Sequence, residues 1–220
     1  MPPTRGMFVA IEGCEGAGKS TLIKGLQMEF SGHNVCFTRE PGGTEVGKAI
    51  GAVLMDGKLS RITPETELFL FLADRTQHTQ ELIIPACVLG KHVISDRYDG
   101  STFAYQVVGH EHRTLESRFW GSRALFPEPD LYVYLAIPPE LGLARVASRG
   151  EEKTRFDRKP LEFHQRVVAG YEEFFTHVDH RQVCRIDASP SEEVVFDQVH
   201  EVLCKLFKIG ETILRQAPRS

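Results

Sequence analysis

Gly13-Cys14-Glu15-Gly16-Ala17-Gly18-Lys19-Ser20 is the stretch whose reading decides the fold. It satisfies G-x-x-x-x-G-K-[ST], a phosphate-binding pattern, and its context gives the pattern physical content. An apolar run, Met7-Phe8-Val9-Ala10-Ile11, precedes it. A helical pattern follows from Thr21, with Leu22, Leu26 and Phe30 at four-residue spacing. A buried strand thus ends in a glycine turn whose N–H groups converge where a helix N-terminus also points, which suits an anion. In that arrangement the stretch from Gly13 to Thr21 cradles the phosphates of a nucleoside triphosphate. Lys19 reaches the terminal phosphates, and the Ser20 hydroxyl faces Mg²⁺.

Outward from the loop, strands and helices alternate. A short strand is expected at Asn34–Thr38, then a turn-rich loop, Arg39-Glu40-Pro41-Gly42-Gly43-Thr44, and a helix from about Glu45 to Met55. Pro64 opens a long helix reaching Ile84, with a kink or break expected at Pro85. His92–Asp96 reads as an apolar strand closed by an acid. Helical stretches follow at about Ser101–Val108 and Thr114–Leu125. Leu131–Ile137 is apolar almost throughout, as a strand buried on both faces should be. Then come a helix at Pro139–Ser148, a charged stretch at Gly150–Lys159, and an amphipathic helix carrying Phe163, Val167, Tyr171, Phe174 and Val178. A last strand, Gln182–Ile186, and a last helix, Glu192–Phe207, complete the pattern. This alternation predicts an α/β, three-layer P-loop fold with a five-stranded parallel sheet flanked by helices. The whole chain, 1–220, reads as one domain, with the charged segment at about 149–160 a surface excursion from it.

Composition narrows the function. Of the 220 residues, 41% are hydrophobic and 25% charged, and the net charge of -4 argues against nucleic acid as a partner. The five cysteines form no C-x-x-C pair, which points to a reducing, cytoplasmic setting rather than to zinc or disulfides. Met1–Gly6 carries no signal-peptide pattern, and no apolar run approaches the ~20 residues that span a membrane. The sole asparagine, Asn34, precedes Val35, so the guanine-reading N-K-x-D motif is absent, and no D-x-x-G switch occurs. A small phosphotransferase fits better than a switch or a motor.

Asp96, at the end of an apolar strand, sits where open parallel sheets place ligand groups and can complement Ser20 at Mg²⁺. Arg97 follows at once, and Arg39 and Arg75 are further candidates for a second phosphate site. The histidines, including His110 and His112, are assigned to solvated loops. Taken with Thr38–Thr44, Leu70-Phe71-Leu72-Ala73-Asp74-Arg75, Gln77-His78, Asp96-Arg97-Tyr98, Ser101-Thr102 and Ala104-Tyr105-Gln106, the phosphate loop completes an ordered set of motifs. From about Met7 to Leu203 the chain resembles the bacterial-type thymidylate kinases.

That resemblance implies transfer of the ATP γ-phosphate to dTMP, giving dTDP for dTTP synthesis and DNA replication. Phe71 would stack on thymine, and Thr102, beside Ser101, would read its polar edge. Tyr105 would crowd the sugar 2′ position, Arg39, Arg75 and Arg97 would hold the acceptor phosphate, and Glu15 would approach sugar and phosphate from the loop. A homodimer packed through helices near the long central one is also implied. Val107-Val108 stands where the family favours glycines, which should stiffen a loop, and Thr154 stands where an acid is usual. Some members carry an arginine in the phosphate loop where this chain has Gly16. The charged segment, as a short basic lid, would then supply the arginine finger, with Arg155 as the candidate and Arg149 or Arg158 in support at the ATP site. The alternatives are a deoxynucleoside kinase and a nucleotide-binding regulatory module without turnover. The first would need a carboxylate base and fewer arginines. The second would not need Lys19, Ser20, Asp96 and a basic lid together.

Overall fold

Strand β1 (Phe8–Glu12) sets the layers, because its side chains alternate between two cores. Val9 and Ile11 join one apolar cluster, Phe8 and Ala10 the other, and every residue of the strand is buried. The computed structural model describes residues 5–56, 59, 62–148, 150 and 154–209. The other strands are β2 (Val35–Arg39), β3 (His92–Asp96), β4 (Leu131–Ala136) and β5 (Val183–Asp187). All five are parallel, in the order β2-β3-β1-β4-β5, as the alternating pattern requires. The helices are α1 (Lys19–Glu29), α2 (Glu45–Met55), α3 (Pro64–His78), α4 (Ile84–Val88) and α5 (Asp99–Thr102). They continue with α6 (Glu116–Arg123), α7 (Pro139–Ser148), α8 (Leu161–Thr176) and α9 (Glu192–Phe207).

Leu22 and Leu26 of α1 and Leu203 and Phe207 of α9 pack with Val9, Ile11 and Val133 on one face of the sheet. Leu68 of α3, Phe119 of α6 and Phe103 pack with Phe8 and Ala10 on the other. Helix α8 bridges both layers, sending Phe163, Val167 and Tyr171 to the first cluster and Phe174 to the second. Trp120 of α6 stacks on Phe174 at 5.8 Å and lies 4.8 Å from the His177 ring. Local chemistry fixes the helix starts. The Thr44 hydroxyl accepts from Gly47 N–H at 2.9 Å, and Thr63 caps α3 immediately before Pro64.

Three expectations change. The break at Pro85 does not occur. A π-helical turn, Thr79–Ile83, runs from α3 into α4 and lets the chain continue past the proline ring. The Thr79 hydroxyl donates to the Arg75 carbonyl at 2.8 Å, adding to the bond that this carbonyl accepts from the Thr79 N–H. The stiffened loop at Val107-Val108 is not a loop either. Both side chains are buried in a π-helical stretch, Phe103–Gly109, that extends α5. The helix expected at Thr114–Leu125 is shorter, a 3₁₀ turn at Arg113–Leu115 leading into α6.

The carboxyl edge of the sheet gathers the chemistry. Arg39 of β2 pairs in register with Asp96 of β3, and Asp96 with Ile11 of β1, so Arg39 and Asp96 leave adjacent strands at one level and Glu12 follows one residue beyond. Open parallel sheets bind ligands at this edge.

Candidate active site

The phosphate loop turns with Gly13, Gly16 and Gly18 at positive φ (152°, 72° and 87°), and α1 begins at once from Gly18. Gly16 also lies against α7. A Cβ on Gly16 would meet the Gly142 carbonyl oxygen at 2.0 Å, and one on Gly142 would meet the Glu15 carbonyl oxygen at 2.4 Å. An arginine at Gly16 has no room in this arrangement. The Lys19 ammonium donates to the Gly13 and Cys14 carbonyls at 2.7 and 2.9 Å. Burial, then the Arg97 charge, lowers its pKa to about 8. Cys14 is inert by the same logic, burial pushing its thiol up to about 11.

Beside the loop opens a cleft of about 300 Å³. Its walls bring together Glu15 to Ser20, Arg39, Phe71, Arg75, Asp96, Arg97, Ser101, Thr102 and Tyr105, residues drawn from six separate stretches of chain. Arg97 has φ 71°, a left-handed conformation costing roughly 1–2 kcal/mol in a non-glycine residue. Its N–H on the Ile11 carbonyl and the Ser95 hydroxyl on its own carbonyl hold it there, at 2.9 and 2.8 Å. The strained turn aims the guanidinium at the loop, with Nη1 on Gly13 O, Ser101 Oγ and Tyr171 OH and Nη2 at 3.6 Å from Glu15. The Tyr105 hydroxyl donates to Glu15 Oε2 at 2.7 Å, and Arg97 lies over the Tyr105 ring at 5.1 Å. For Glu15, burial works to raise the pKa, yet His164, Arg97, Lys19 and Tyr105 outweigh it and hold the acid at about 2.

Arg75, expected at the acceptor phosphate, lines this cleft and is already paired. It is 1% exposed, its Nε and Nη2 donate to Glu40 Oε2 at 3.0 and 2.8 Å, and Nη2 donates to Thr102 Oγ1 at 2.8 Å. The Glu40 charge offsets its own, and its partner Thr102 puts it beside the residue expected to read a base edge.

Several site residues were missed. Glu12 is fully buried and accepts from Tyr98 N–H, Ser101 N–H, Ser101 Oγ and Tyr171 OH. Burial still pushes its pKa up, to about 7. An acid ending an apolar strand was the available signal, the same one that marked Asp96. His164 is 1% exposed with Nδ1 at 3.3 Å from Glu15, and His78 is fully buried between Thr38 Oγ1 and Glu40 Oε1. Neither occupies a solvated loop. His164 shares the buried helical face of Val167 and Tyr171, a spacing that the sequence displays. His110 is also partly covered, and burial lowers its pKa to about 4.

A second cleft, about 550 Å³, lies on the far side of the loop. Gly16, Ala17 and Gly18 line both clefts, and Thr21 lines only the second. Arg145 of α7 shapes this cleft by donating to the carbonyls of Ala188, Ser189 and Pro190 at 2.7, 2.8 and 3.1 Å. No sequence signal marked it. Of the lid residues, Arg149 lies outside the described residues. Arg158 is exposed and lines neither cleft. Arg155, expected at the ATP phosphates, also lines neither cleft; it pairs with Glu67 at 2.7 Å and covers the Phe156 ring at 4.5 Å. Thr154 N–H donates to Asp157 Oδ2 and Asp157 N–H to Thr154 Oγ1, so Thr154 serves a local turn.

Asp96 Oδ1 is buried without a hydrogen-bond partner among the described residues. Such an oxygen, with the Ser20 hydroxyl on the same cleft, fits a hard cation that draws its other ligands from phosphate and water. Among the described residues, no three His, Cys, Asp or Glu side chains form a metal site by themselves.

A thymidylate kinase family profile matches residues 11–199. A thymidylate kinase of Solidesulfovibrio magneticus is 42% identical over 209 residues, covering 91% of this chain and 100% of the relative. One of Carboxydothermus hydrogenoformans is 46% identical over 170 residues, covering 76% and 83%, and one of Acinetobacter baylyi 37% over 198, covering 89% and 97%. A family match over most of the chain, together with relatives this similar over nearly their whole length, means that the chain belongs to the thymidylate kinase family.

Proposed function

We propose that the protein transfers the γ-phosphate of ATP to dTMP, giving dTDP. The observation that carries this reading is that Gly16, Ala17 and Gly18 are a wall common to two clefts. A donor in one and an acceptor in the other would meet at the phosphate loop. The first cleft takes dTMP, with Phe71 against the base, Thr102 and Arg75 at its polar edge and Tyr105 at the sugar. Arg39 and Arg97 hold its phosphate, and Glu15 approaches from the loop. The second takes the adenosine of ATP against Arg145 and the loop after β5.

A nucleotide monophosphate has a second pKa near ~6, so the acceptor is a dianion at neutral pH and needs no general base. Catalysis then consists of alignment and charge neutralisation. Lys19 and Arg97 supply charge where donor and acceptor meet. Mg²⁺ would be held by Ser20 and Asp96 and would offset charge on the donor phosphates. The four donors on Glu12 fix Ser101 and Tyr171, and through them Arg97.

The chain acts as a single kinase domain in the cytoplasm. It forms a homodimer through α2 and α3, which pack together and expose Val46, Val53 and Phe69. Among the described residues no helix is long and apolar enough to cross a membrane. A deoxynucleoside kinase is disfavoured because Arg39 and Arg97 both line the acceptor cleft. Incubation with Mg-ATP and dTMP, followed by product separation, should yield dTDP. Absence of product would leave the non-catalytic nucleotide module.

A further inference from the structure

Resting on dTMP as the acceptor, we infer that Glu67 and Arg155 form a clasp seating Phe156 against Tyr105, which sets how tightly and selectively the acceptor sugar is held. Glu67 lies in the first turn of α3 and is 7% exposed. Three groups converge on it. Arg155 Nη2 lies 2.7 Å from Oε2, Gln106 Nε2 donates to Oε1 at 3.0 Å, and His110 Nε2 lies 3.8 Å from Oε1. Drawn to this acid, Arg155 folds over the neighbouring Phe156 ring. Phe156 is 8% exposed, lines the acceptor cleft, and meets the Tyr105 ring edge-on, with centroids 5.4 Å apart and planes at 82°. Such a pair contributes beyond its buried area and resists tilting.

Arg97 lies over the Tyr105 ring and Phe163 and Tyr171 approach its edges, but two contacts tie it to separate segments. Its hydroxyl is fixed by Glu15 in the phosphate loop, and its ring by Phe156 in the segment after α7. Release of either lets the ring tilt into or away from the sugar. Neither Glu67 nor Arg155 lines a cleft, so both are positioning residues that act through Phe156 and Tyr105. An arginine engaged at the acceptor end is also not at the donor phosphates, which separates this role from an arginine finger. The reciprocal Thr154–Asp157 hydrogen bonds stiffen the turn that carries both Arg155 and Phe156.

Glu67→Gln keeps the shape and an acceptor for Gln106 while removing the charge, and Arg155→Ala removes the other partner. Each should raise KM for dTMP about tenfold and narrow the preference over the ribonucleotide counterpart. kcat and KM for ATP should stay within about twofold. The double variant should be no worse than either single one, and Arg155→Lys should recover part of the loss. Calorimetric titration with dTMP, without ATP, should show the same loss of affinity. If Arg155→Ala instead lowers kcat about a hundredfold with dTMP affinity intact, the arginine serves transfer and the clasp is overturned. Unchanged affinity and preference in both variants would overturn it too. Should Glu67→Gln fail to fold, Arg155→Ala decides alone. Failure of the wild type to phosphorylate dTMP would sink the activity reading, and calorimetry would still decide the clasp.

Discussion

Lys19 spends its charge on two carbonyls of its own loop, in surroundings that lower its pKa to about 8 through burial and Arg97. A bound triphosphate favours the charged form and must raise that pKa again. Between pH 8 and 10, ATP binding should therefore take up about one proton, and affinity should fall up to about tenfold per pH unit. Calorimetry in buffers of different ionisation enthalpy reads this directly; heats independent of buffer would contradict it. Phe71→Ala tests the other end of the acceptor cleft. Loss of base stacking, about 1–3 kcal/mol, should weaken dTMP binding roughly 5- to 150-fold and leave ATP binding nearly unchanged. Equal losses would make Phe71 a packing residue. At this scale the sequence displayed most of the residues that line the cleft beside the phosphate loop, because strand ends and loops carry their chemistry openly. Arg75 was harder to read, since its neutraliser Glu40 lies in a stretch that reads only as a turn.

Between elements, one close approach is backbone to backbone, where α7 meets the phosphate loop at Gly142 and Gly16. Gly142→Ala puts a methyl 2.4 Å from the Glu15 carbonyl oxygen, and no side chain can give way. We expect a stability loss of ~1–3 kcal/mol by denaturant unfolding, with weaker ATP binding as the loop shifts. An unchanged midpoint and an unchanged KM for ATP would mean that the two elements separate freely. The strand–helix alternation was legible because buried parallel strands are apolar runs and the helices announce their caps. The π turns were not. The one at Thr79–Ile83 carries the Thr79 hydroxyl on the Arg75 carbonyl just ahead of the Pro85 ring, and the one at Phe103–Gly109 is buried throughout, so neither shows in the periodicity. Arg145 likewise acquires its role only when the chain after β5 returns to α7.

Across the whole molecule, strand order decides the layout, and periodicity does not contain it. With β1 central, the loop after it stands between what β3 and the helices beyond it supply and what the β5–α9 connection supplies. Two clefts that meet at one loop imply that a ligand joining adenosine to thymidine through a chain of phosphates can occupy both. Such a compound should bind about 10²–10⁴-fold more tightly than either nucleotide alone. Competition kinetics against ATP and against dTMP would test it, and inhibition competitive with one substrate only would contradict the shared wall.

Trp120, the only tryptophan of the chain, is built into the aromatic stack with Phe174, Phe103 and Phe119 and lines neither cleft. Its emission should therefore follow unfolding and stay unmoved when nucleotides are added. A spectral shift on adding dTMP would show that the aromatic stack rearranges with the acceptor cleft. Without such a shift, one fluorescence melt separates the variants that lose the fold from those that lose only a ligand.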